Sequence, residues 1–68
     1  MVNDDLIELK KRTADELKRI DIESYALDET DERLPVYLRA CVSTPSRHNL
    51  YESLAVKRCF EFMNKFYF

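Results

Sequence analysis

His48, Cys41 and Cys59 are the side chains best able to do chemistry: an imidazole for acid–base or metal duty and two thiols for nucleophilic or redox work. His48 stands seven residues after Cys41 and eleven before Cys59. A zinc site needs four ligands, usually in closely spaced pairs, and neither the two further ligands nor the spacing is present. No serine-centred elbow or second histidine supplies a nucleophile, base and orienter set. Asp28 and Glu29 form an acidic pair, but nothing in their polar surroundings would desolvate one carboxyl and separate the two pKa values. A calcium loop needs alternating ligands with a glycine at its sharp turn, and the chain has no glycine. Loops that cradle phosphates fail for the same reason. The expectation is a non-catalytic chain with no cofactor and no metal, in which both cysteines are small buried hydrophobes.

Elements must still position whatever the chain presents to a partner. With 68 residues there is room for one domain, near the size at which a single core gives only marginal stability. A partner, self-association or the rest of a longer chain is therefore expected to complete the fold. Two prolines and no glycine leave little material for the tight turns of β architectures, so the fold class expected is all-α. The first 32 residues carry five Lys/Arg against eleven Asp/Glu, and the remaining 36 carry six against two. Attraction between the halves explains that asymmetry, and an anionic partner for the second half is the alternative. The acidic start is unlike a signal peptide, and no apolar run reaches the ~18 residues of a membrane span, which points to the cytoplasm.

Three helices and a connector are predicted. Residues 1–20 read as a charged amphipathic helix, with Asn3 as N-cap, Asp4 and Asp5 in its first turn, and a stripe of Leu6, Leu9, Thr13, Leu17 and Ile20. Residues 21–32 lose that period, and half of them are carboxylates with no Lys or Arg between. They read as an acidic connector held open by self-repulsion, or as a short helical turn around Tyr25 and Leu27. Residues 33–68 read as a helical pair. The first member, capped by Thr30 or Asp31 and carrying Pro35 in its first turn, has Leu34, Tyr37, Leu38, Cys41 and Val42 on its apolar side. Pro45 and its Ser/Thr neighbours break it. Asn49 and Glu52 have the spacing of a capping box that would start the second.

That last helix spreads Ala55, Val56, Cys59, Phe60, Phe62, Met63, Phe66 and Tyr67 over a wide arc and leaves Lys57, Arg58, Glu61, Asn64 and Lys65 about 120°. So broad an arc exceeds what two short neighbours can hide, which makes Phe60, Met63, Phe66 and Tyr67 the candidate partner-binding residues. Aromatics opposite cations also suit a bilayer interface, but the polar face is narrow and weakly cationic, so a protein partner is preferred to a membrane. A helix–break–helix outline resembles a DNA reader, yet the end that would meet base edges reads Leu50-Tyr51-Glu52-Ser53-Leu54. Sequence-blind contact with the DNA backbone through Arg47, Lys57, Arg58 and Lys65 fits better and would be salt-dependent.

The run RHNLYESLAVKRCFEFMNKFYF, with Pro45 just before it, is similar to a region near the N-terminus of large terminase subunits from one group of tailed-phage and prophage sequences. Pro45, Arg47, His48, Asn49, Leu50, Tyr51, Glu52, Leu54, Val56, Lys57 and Arg58 are the matching positions. The acidic, charged first third fits the lead-in less specifically. That family is the DNA-packaging motor, an ATPase joined to a nuclease, and the resemblance places its catalytic machinery beyond Phe68. It implies a non-catalytic N-terminal interaction segment in the bacterial host cytoplasm, touching the motor body or the small subunit. The alternative is a small autonomous phage or bacterial adaptor or inhibitor that docks its aromatic C-terminal helix on a protein partner.

Overall fold

A computed structural model describes residues 2–66, with side chains from Asp4 onward. Helix α1 covers Val2–Ile20, with Asp4 and Asp5 in its first turn and Lys18 and Arg19 in its last, where the helix dipole favours each sign. At 1.5 Å per residue it is about 28 Å long, so it sets the long dimension of a 34 × 20 × 20 Å molecule. The helix includes position 3, so Asn3 does not stand outside it as the expected cap; its side chain lies outside the described residues.

The acidic stretch takes the second of its two expected forms, a short helical turn that contains Tyr25 and ends at Leu27, rather than being held open. Asp21 caps a 3-10 turn over Ile22–Ala26, its carboxylate accepting from the Glu23 N–H at 3.0 Å. Asp28 accepts from the Thr30 N–H and hydroxyl at 2.9 and 2.8 Å, and Asp31 accepts from the Arg33 N–H at 2.8 Å. These carboxylates serve as acceptors for backbone amides two residues on, which suits Asp to turns. The turn also brings Ser24 and Leu27 into the interior.

Helix α2 covers Leu34–Ser43, starting later than a Thr30 or Asp31 cap implies, with Arg33 as N-cap and Pro35 in the first turn. It ends at Thr44, whose extended backbone is what a following proline requires. Pro45–Arg47 form a second 3-10 turn and His48–Tyr51 a single-turn helix, α3. The expected capping box at Asn49 and Glu52 does not start the last helix. Glu52 reaches back to His48, 3.6 Å from Nδ1, and α4 begins two residues later over Leu54–Phe66. Ser53 takes the cap position, its carbonyl accepting from Lys57 N–H at 2.9 Å while its hydroxyl donates to the Glu16 carboxylate on α1. A carboxylate from another helix thus sits at the positive end of α4. Among the described residues the fold is therefore four α-helices and two 3-10 turns without a strand: all-α as expected, with one helix more.

The core is assembled by spacing. Leu6, Ala14 and Leu17 come from α1, Leu34, Leu38 and Cys41 from α2, Val56, Cys59 and Met63 from α4, and Leu27 from the connector. Each helical set recurs at three, four, seven or eight residues, the rows that share a helix face. Helix α1 packs most extensively on α4. At their contact the buried Thr13 hydroxyl lies 2.8 Å from the Leu9 carbonyl and 2.9 Å from the Ala55 carbonyl, one in its own helix and one in α4.

Candidate functional site

The end of α1 and the α2–α3 turn are fastened together at Asp21. Its second carboxylate oxygen accepts from the Tyr37 hydroxyl and, at 3.0 Å, from Arg47 Nη1. The other Arg47 nitrogen pairs with Glu23, and the guanidinium lies 4.7 Å from the centre of the Tyr37 ring. Both ends of the Asp21–Arg47 pair are mostly buried, with side-chain exposures of 16% and 22%. Burial, and then the adjacent Asp21 carboxylate, push the Tyr37 phenol above its ordinary range, so Tyr37 stays a hydrogen-bond donor at any physiological pH.

Beside this clasp, the 3-10 turn and α2 diverge to leave a groove of about 660 Å³. Leu27, Val36, Tyr37 and Ala40 supply its apolar lining, and Glu23, Glu32, Arg33 and Arg47 its charged edge. Val36 is 69% exposed although it belongs to a helix whose Leu34, Leu38 and Cys41 are fully buried. Both arginines are already engaged: Arg33 with Asp31 through Nε at 3.0 Å and Nη2 at 2.7 Å, and with the Ala26 carbonyl at 2.9 Å; Arg47 within the clasp. The Arg33 bonds hold the Asp31 carboxyl down at about 2.

The residues expected to bind a partner are divided by the fold. Met63 is fully buried beside Cys59 and presents no surface. Phe60 is half-buried against Tyr51, their rings edge to face at 5.4 Å, and Phe62 is half-buried with its ring 5.0 Å from Phe66. Phe66 is 51% exposed, and Tyr67 lies outside the described residues. The neighbours of α4 therefore hide more of its arc than its width implied, because α3 contributes Tyr51 as an extra cover. The surplus left in solvent is Phe66 and, at the opposite end, Leu54.

The four candidate phosphate-contacting cations are not brought together as one set. Arg47 is committed to Asp21 and Glu23, whereas Lys57, Arg58 and Lys65 stand exposed on α4, the last with its ammonium 5.7 Å from the Phe66 ring centre. Cys41 and Cys59 are free and buried. Burial, and then the charge of Asp21, push the Cys41 thiol up to about 11, and burial raises Cys59 as well. Among the described residues there is no cluster of metal-ligating side chains, and no helix is long and apolar enough to cross a membrane.

The groove was not visible in the residue pattern. Val36 is two residues from Leu34 and so out of phase with the buried row, and that mismatch is the one signal that could have pointed to it. Comparison of the chain with protein-family profiles, with curated proteins and with solved structures returned no match.

Proposed function

We propose that this chain is a non-catalytic protein-interaction segment, working in the setting its terminase resemblance implies: contact with the body or small subunit of a phage DNA-packaging motor in the bacterial host cytoplasm. The observation that carries the interaction role is the groove between the 3-10 turn and α2, where exposed Val36, with half-buried Tyr37 and Ala40 beside it, keeps an apolar surface open next to the clasp. A small helical domain that already hides Leu34, Leu38 and Met63 gains nothing for its own stability by leaving Val36 in water. The packaging setting rests on the resemblance over residues 45–58. Any DNA-backbone contact falls to Lys57, Arg58 and Lys65, since Arg47 is held by carboxylates. Co-expression of the tagged chain with large and small terminase subunits of a tailed phage, followed by size-exclusion chromatography, tests the reading. Co-elution supports it, and separate elution even at low salt removes it.

A further inference from the structure

We infer that the groove between the 3-10 turn and α2 receives a cationic amphipathic helix of a protein partner; this rests on the interaction role proposed above and names the partner's chemistry. The apolar lining by itself would accept any greasy segment. Charge decides among them.

The groove's charged lining is balanced, Glu23 and Glu32 against Arg33 and Arg47, and a surplus of two negative charges arises once Asp21 and Asp31, the ion-pair partners of those arginines, are counted with it. Each guanidinium charge is already matched within the chain: Arg33 spends three of its five N–H donors on Asp31 and the Ala26 carbonyl, and Arg47 pairs with Asp21 and Glu23. An acidic ligand would have to compete with those carboxylates. Glu32, in contrast, is exposed on the edge and has no ion pair among the described residues. Asp28 and Glu29 extend the negative field along the same connector. An anionic segment would meet repulsion there, whereas a helix with Leu, Ile or Phe along one side and Lys or Arg flanking it would place apolar side chains on Val36, Tyr37 and Ala40 and a cation against Glu32. Helix-in-groove binding needs a wall that does not collapse, and the Asp21–Arg47–Tyr37 clasp holds the wall formed by the 3-10 turn in place.

The test uses the whole chain, isotope-labelled, titrated with three synthetic peptides and followed by amide chemical shifts. The first is built of Leu and Lys at helical period, the second has Glu in place of every Lys, and the third has the first one's composition scrambled so that no apolar face forms. Specific binding of the first alone is expected, with the largest shifts at Leu27, Val36 and Ala40. Val36→Ser, a change at an exposed site, should weaken it about tenfold, and Glu32→Lys should weaken it and flatten its salt dependence. Equal binding of the scrambled peptide would reduce the effect to plain charge attraction and overturn the inference, as would preference for the acidic peptide, indifference to Val36→Ser, or no binding of the first. Concentration-dependent sedimentation of the free chain, abolished by Val36→Ser, would make the occupant a second copy and overturn it too. If the peptides fail while the chain still co-elutes with terminase subunits, the interaction role stands and the groove is not its site; if both fail, both are lost.

Discussion

Arg47 reaches back 26 positions to set its Nη1 atom 3.0 Å from the Asp21 carboxylate, joining the turn before α3 to the cap after α1. This pair, with Tyr37 and Glu23 around it, ties distant parts of the chain together beside the groove, and its strength governs how well the groove is held.

Replacing Arg47 by Ala should lower stability by about 2 kcal/mol, a fall of about 10 °C in Tm. The loss is moderate because Asp21 keeps two donors, the Tyr37 hydroxyl and the Glu23 N–H. Asp21→Asn keeps an acceptor for the cap and should lose less. Urea unfolding followed by circular dichroism measures both; an Arg47→Ala protein as stable as the parent would mean that the clasp is ornamental in solution.

The last helix should separate into structural and surface aromatic or thioether positions. Met63→Ala opens a cavity at a fully buried site and should cost about 3 kcal/mol, much of what a domain of this size has to spare. Phe66→Ala, at a half-exposed site, should change stability by under about 1 kcal/mol. Equal effects of the two substitutions, compared by thermal melts, would contradict the burial pattern.

Asp31 should titrate at about 2 rather than at its ordinary 3.8, because Arg33 bonds to its ionised form. With the folded value below the unfolded one, the stabilisation it brings is complete above 3.8 and is lost as pH falls toward about 2. Asp28, lowered by its bonds from Thr30, adds in the same direction. Carboxyl carbon shifts followed by NMR from pH 6 to 1.5 give the midpoint directly, and Arg33→Ala should return it toward the ordinary value. A parent midpoint near 4 would sink the assignment.

Both thiols should be slow to react with an aromatic disulfide reagent at pH 8 and should react at once when the chain is unfolded. Burial lifts Cys41 to about 11 and raises Cys59, so the nucleophilic thiolate is scarce at that pH and sheltered as well. Release of two equivalents within the mixing time under native conditions would show that the core is open.

Local pattern alone determined the helical class, the extent of α1, the core rows Leu34–Leu38–Cys41 and Val56–Cys59–Met63, and the break at Pro45, since helical period, dipole preference and proline geometry act within a few residues, whereas Val42, expected on the apolar side of α2, is left exposed. Tertiary structure decided which polar groups meet and which apolar groups stay wet. Asn49 and Glu52 have the spacing of a cap, yet α4 starts after Ser53, whose hydroxyl donates to Glu16 of α1. Ile20 continues the α1 stripe but remains half in water, whereas Leu27, in a stretch with no period, is buried. Arg47 reads as a free cation in the chain and is a clasp in the fold, because the carboxylates that claim it are more than twenty residues away. The groove at Val36 exists for the same reason: it is the gap left when α2 turns its buried row toward α4 while the 3-10 turn is pinned at Asp21, and no stretch of neighbouring residues contains that geometry.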